Sequence, residues 1–238
     1  MRGATSKNEP SSETALVSGF VRSFVSGMPI VGANIRVLEL DLELKWVTDG
    51  SGRFGPMELP IGQSFTLVCE KEGNWFTGYR TTQTVTFVVP PEGIHHPNYL
   101  KNISFQVPSN MAFSFCSWAM GIAENPNAGL IAVTATPPDK TLNDLPHGAH
   151  GVEVSLHPNL DIEPYYPGIY PYIYKTNFFR RELKTSHDGG AIIPNVKEGN
   201  YELKAKKGAQ EYTFFVKVRK GVLTNISPPQ GPVFINDI

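Results

Sequence analysis

The chain has 238 residues, 21 Lys and Arg against 22 Asp and Glu, 22 Gly, 20 Pro and only 18% charged residues, for a formal net charge of -1. This balance excludes a strongly basic nucleic-acid binder, a charge-driven disordered chain and a long coiled coil, and it calls for many tight turns between short segments. No run approaches the ~18 consecutive apolar residues of a membrane span, and the length suits one large domain or two of roughly 100–120 residues.

Residues 1–14 are polar and rich in Ser, Glu, Lys and Pro. They are expected to form a disordered tail, and their lack of an apolar signal core points to a cytoplasmic chain, or to a secreted one if a signal was removed. From Ala15 the text becomes short alternating segments, at 16–21, 33–40, 46–48, 53–54, 64–70, 82–89 and 103–107. Turns such as Ser26-Gly27-Met28-Pro29, Asp49-Gly50-Ser51-Gly52 and Leu59-Pro60-Ile61-Gly62 separate them. Strands at this spacing predict an antiparallel sandwich over 15–108. Residues 109–128 read as a hydrophobic connector, with a short buried helix over 111–121 capped by Ser109 or Asn110. A β-branched run at 130–136 opens a second sandwich over 129–238, interrupted by expected loops at 137–151 and 157–177. Cys69 and Cys116 set no disulfide framework and are expected to be reduced.

The two halves repeat one text. Thr185 to Gly190 stands where Thr48 to Gly52 stood, and Ile193-Pro194-Asn195-Val196-Lys197-Glu198-Gly199 parallels Glu58-Leu59-Pro60-Ile61-Gly62. Gly32 precedes the strand from Ala33 as Gly151 precedes the strand from Val152. An internal duplication follows. The residues Gly19, Gly27, Pro29, Ile30, Gly32, Ala33, Ile35, Thr48, Asp49, Gly52, Phe54, Leu59, Pro60, Gly62, Phe65 and Leu67 carry a pattern that resembles the carboxypeptidase regulatory-like domain. That family is a transthyretin-like sandwich related in outline to Cna-B repeats. The resemblance implies an all-β chain of two transthyretin-like antiparallel sandwiches and supplies no catalytic residue.

Chemistry is sought in the irregular stretches. His147 and His150 form an H-x-x-H pair on a glycine-containing loop, and His95-His96-Pro97 lies between the last strands of the first copy. Imidazoles ligate divalent metals or act as acid–base groups, so His147 and His150 are the candidate metal ligands, with His95 and His96 as further catalytic candidates. Residues 163–174 hold five of the nine tyrosines. Tyr165, Tyr166, Tyr170 and Tyr172, with Trp118, are the candidate lining of a small-molecule pocket, together with Trp46, Trp75, Phe76 and Tyr79. No nucleotide-binding glycine motif and no G-x-S-x-G is present. The expectation is therefore a small-molecule enzyme with a His-based, metal or acid–base site, acting as a lyase, isomerase, hydrolase or dioxygenase. The alternative is a non-catalytic binding or scaffold module recognising a small ligand, glycan or protein.

Overall fold

A computed structural model describes residues 13–40, 45–98 and 101–235. The tail expected over 1–14 lies outside these, except for Glu13 and for Thr14, which begins the first strand.

The first half runs β1 (Thr14–Ser23), β2 (Asn34–Val37), β3 (Lys45–Val47), β4 (Arg53–Pro60), β5 (Ser64–Phe65), β6 (Leu67–Glu70), β7 (Thr82–Thr84), β8 (Phe87–Val88) and β9 (Ile103–Val107). A helix, α1 (Asn110–Ala119), follows. The second half runs β10 (Gly129–Thr134), β11 (Glu153–His157), β12 (Tyr166–Ile169), β13 (Thr176–Glu182), β14 (Gly190–Val196), β15 (Gly199–Lys207), β16 (Gln210–Val218) and β17 (Leu223–Ile226). The fold is all-β, with α1 the one α-helix among the described residues, and most of its ladders are antiparallel.

Each half builds the same three-stranded unit. β1 pairs antiparallel with β4 and parallel with β9, while β10 pairs antiparallel with β14 and parallel with β17. The β4-β1-β9 sheet shares one hydrophobic cluster with β2 and β6, filled by Val17, Phe54, Met57, Phe105, Ile35 and Leu67. The β14-β10-β17 unit shares a second cluster with the β11-β15-β16 sheet, filled by Ile131, Ile193, Ile226, Val154, Leu203 and Val216. Both follow from alternation, which sends every second side chain of a strand to the facing sheet.

The halves are not beads on a string. β17 lies parallel to β7, so a seven-stranded sheet in the order β14-β10-β17-β7-β6-β2-β3 runs through both. Gln83, fully buried on β7, reinforces the joint by donating to Lys217 O and to Thr224 Oγ1 and by accepting from Arg219 Nε. Such a buried polar group is tolerated because each of its amide atoms is paired.

The repeat extends to individual hydrogen bonds. Thr48 Oγ1 donates to Ile30 O at 2.7 Å and accepts from Ala33 N at 2.8 Å. Thr185 Oγ1 donates to Ala149 O at 2.7 Å and accepts from Val152 N at 2.8 Å. Both hydroxyls are buried, and each tethers the turn before its strand to the start of that strand. Next in each turn stands a glycine with positive φ, Gly52 at 73° and Gly189 at 72°, whose carbonyl accepts from Val21 N and Ala135 N respectively.

The spacing shows where the copies diverge. Ala149 stands 119 positions after Ile30, but Thr185 stands 137 after Thr48, so the second copy carries 18 extra residues between them. Those residues contain the β12–β13 hairpin. A loop was expected over 157–177; the segment instead turns back on itself as a ladder, with Tyr166 opposite Glu182 and Ile169 opposite Thr176.

The connector also differs from expectation. Ser109 does cap α1, its side chain accepting from Ala112 N at 3.2 Å. The helix is not buried, however. Only Phe113 and Ser117 are buried, an i, i+4 pair on one face, with Arg80 lying 4.4 Å over the Phe113 ring. Met111, Phe115 and Trp118 face outward, while Ala112, Cys116 and Ala119 are half-buried at the flanks, so one face of α1 packs against the sheets and the other is left open.

Candidate functional site

The histidines lie in separate settings. His95 Nδ1 is 2.8 Å from Ser18 Oγ beside β1, and His96 Nδ1 accepts from Asn98 N, so both are tied into the loop leading to β9. His147 Nδ1 is 3.2 Å from Asp144 O. His150 stacks instead on His187, with ring centroids 5.0 Å apart and planes 24° from parallel. The expected partner for His150 was His147; the duplicated turn supplies His187. Among the described residues, no group of three His, Cys, Asp or Glu side chains could hold a metal ion.

Burial pushes the His147 imidazole below its ordinary value of 6.5, and the attraction of Asp188 and Asp144 offsets this only in part. The unfolded chain then takes up more protons than the folded one in the window just below 6.5. Stability therefore falls as pH drops through that window and levels off below the folded value. Melting temperatures measured from about pH 7.5 to 5 should show this slope, and His147→Gln should flatten it. An unchanged slope in the variant would remove His147 as its source.

The five aromatic candidates divide. Tyr165 and Tyr166 are buried, the first donating to Phe178 O at 2.7 Å and the second accepting from Val154 N at 2.9 Å, so they anchor the hairpin base. Tyr170 and Tyr172 lie at the hairpin tip, with Tyr172 96% exposed. Trp118 is on α1, remote in sequence and 68% exposed. Two are structural and three are outward, so the five do not enclose one pocket. Both cysteines are free, and burial pushes the Cys116 thiol up to about 11, away from an activated nucleophile.

A different surface emerges. Met111, Phe115 and Trp118 follow one another at i, i+4 and i+7 on the outer face of α1, where they are 50%, 53% and 68% exposed. The 18-residue insertion brings Phe179 against them. Its ring, 57% exposed, stands edge-on to Phe115 at 6.0 Å and to Trp118 at 5.7 Å, while Phe115 and Trp118 lie 5.8 Å apart. The neighbouring Phe178 points to the other side of β13, as strand alternation requires, and meets Phe24 at 6.0 Å. The hairpin is thus clamped between the turn after β1 and the helix. A polar group borders the helix side of this face, where Glu124 pairs with Arg80 at 3.8 Å and accepts from Ser114 Oγ at 3.1 Å.

Phe115 and Phe179 were missed in the sequence because each looks like ordinary core in its own segment. The usable signal was the change in repeat spacing, which places 18 extra residues within the stretch 158–184 of the second copy.

No family model and no curated protein matches the chain. Solved structures similar to it include the following three. The Bacillus anthracis TIE protein has 14% identity and a TM-score of 0.27, covering 94% of this chain and 34% of its own. A Streptococcal ancillary pilin has 10% identity and a TM-score of 0.27, with coverages of 92% and 64%. A fimbrial protein from Bacteroides ovatus ATCC 8483 has 10% identity and a TM-score of 0.23, with coverages of 92% and 49%. The chain thus spans from about a third to just under two thirds of the length of these structures. At these values the likeness does not carry a function across. The expectation of a small-molecule enzyme is corrected on the placement above: the histidines and tyrosines on which it stood are not gathered into one site. No described helix is long and apolar enough to cross a membrane.

Proposed function

We propose that the chain is a non-catalytic β-sandwich module that docks protein through the aromatic face of α1 and β13, and that the occupant of this face is a second copy of the chain. The observation that carries the reading is the uncovered stripe of Met111, Phe115, Trp118 and Phe179. At roughly 200 Å² per large side chain, their exposed fractions leave about 500 Å² of apolar surface in water. A standard interface buries about 800 Å² per partner, so this stripe with its polar border is of the size of one interface half.

The face has no charge at its centre with which to select a charged partner. Copies bearing a net charge of -1 meet without long-range repulsion. Edge-to-face rings can extend across a two-fold axis, and homodimer interfaces are the more apolar class.

Sedimentation velocity from about 2 to 200 µM should show a reversible monomer–dimer equilibrium. The double variant Phe115→Ser/Trp118→Ser should remain monomeric throughout. Its melting temperature should fall only by what the lost ring contacts to Phe179 contribute, about 0.5–1.5 kcal/mol each, leaving a cooperative unfolding transition. A wild-type chain that is monomeric across the range, or a dimer that survives both substitutions, overturns the reading.

A further inference from the structure

The second copy carries another elaboration, on the opposite kind of chemistry. Lys140, His150, His187 and Lys207 line an open cleft of about 410 Å³, walled by Pro137 and Pro146. Among the described residues, no carboxylate lines it. Two carboxylates belonging to the same loops are engaged elsewhere: Asp188 Oδ1 accepts from Ser186 Oγ at 2.7 Å and Gly190 N at 3.1 Å, and Asp144 Oδ2 accepts from Thr141 N and Oγ1. Among the described residues, neither Lys140 nor Lys207 has an ion-pair partner, whereas Lys204 on the same strand is paired with Glu211. Two ammonium groups and two imidazoles therefore line one concavity, with Asp144 near enough to interact with the Lys140 charge but hydrogen-bonded within its own turn.

The repeat shows that the frame does not need them. By the spacings of the duplicated turns, His150 corresponds to Val31 and His187 to Gly50. The first copy closes the same hydrogen bonds around Thr48 with neither imidazole present. The stacked pair is thus an addition made to one copy.

We infer that this cleft is a site for a doubly charged tetrahedral oxyanion, a phosphate or sulfate group. Lysine ammoniums offer point charge and rotatable donors, imidazole N–H groups offer directed ones, and charge-assisted bonds to such an anion are the stronger kind. The two lysines set the cleft against a bare metal cation, which they repel. The proline walls leave room beside the anion for the apolar part of an ester, so the ligand is either the free anion or a small organic phosphate or sulfate. This inference is independent of the aromatic face.

The test is a titration of the intact chain at low salt with inorganic phosphate, inorganic sulfate and glycerol 3-phosphate, followed by the ring C–H resonances of His150 and His187. Saturable shifts confined to these two rings are expected, weakening by about tenfold in Lys207→Gln and in Lys140→Gln, and weakening with added salt. Tighter binding of glycerol 3-phosphate than of phosphate assigns an ester; equal binding assigns the free ion. Absence of saturable shifts, affinities unchanged in both lysine variants, or a response to Zn²⁺ alone without one to phosphate would each overturn the site. Because both lysines are on the surface, unchanged melting temperatures in the variants will show that the fold is intact.

Discussion

Gly189→Ala is expected to destabilise the chain by about 3–5 kcal/mol and to lower its melting temperature by roughly 6–20 °C. The cause is double. Gly189 holds φ at +72°, where a Cβ costs about 1–2 kcal/mol, and that Cβ would stand 2.0 Å from the carbonyl oxygen of Ala135. The oxygen cannot move aside, since it accepts from Ala149 N while Ala135 N is bonded to Gly189 O. Gly52→Ala in the first copy should act in the same direction but more weakly, its Cβ meeting Val21 O at 2.6 Å. Gly208→Ala serves as the control: φ is again positive, at 58°, but nothing lies within 4 Å, so only the backbone cost remains. Urea and thermal melts of the three should rank Gly189, then Gly52, then Gly208. A Gly189 variant no worse than the Gly208 variant would mean that the duplicated turn is not rigid.

The second large effect concerns the paired threonines. Thr48→Val and Thr185→Val keep the side-chain shape but remove a hydroxyl that both donates and accepts in a buried setting, at 3% and 1% exposure. Each leaves a strand amide and a turn carbonyl without that partner, which costs about 2–4 kcal/mol. Because the two environments match bond for bond, the two losses should be similar. Because they lie in different hydrophobic clusters, the double variant should lose their sum to within about 0.5 kcal/mol. A neutral Thr185→Val beside a costly Thr48→Val would refute the equivalence of the copies, although their geometry is the same.

These effects explain which parts of the fold were readable. Thr48, Asp49 and Gly52 recur as Thr185, Ser186 and Gly189 because turns depend on local chemistry, namely a short side chain that bonds the backbone and a residue free to take positive φ. Strand alternation was legible for the same reason. The joint between β7 and β17 was not. Thr82-Gln83-Thr84 gives no sign that its partner lies more than 130 residues away, and only the paired atoms of Gln83 explain its burial. Nor could the sequence say which side of an uncharged helix faces inward: residues 110–119 are apolar on both faces, so burial was the natural expectation. Tyrosines close together in sequence were read as one wall, yet the hairpin register places Tyr166 at its base and Tyr172 at its tip. The stacking of His150 on His187 required the turn and the preceding loop to meet in space, a contact across 37 positions without a sequence signature.

Both proposed surfaces share an origin. The frame is used twice, and what is added to the second copy alone, the β13 hairpin and the histidine-lysine cleft, is where this chain departs from a bare sandwich. The aromatic face is the larger of these additions and the one on which the functional reading stands. Hydrogen–deuterium exchange compared at low and high protein concentration tests it most directly. The account predicts added protection at high concentration confined to residues 110–120 and 176–182, and absent in Phe115→Ser/Trp118→Ser. Protection that appears elsewhere, or exchange that does not depend on concentration, would contradict it.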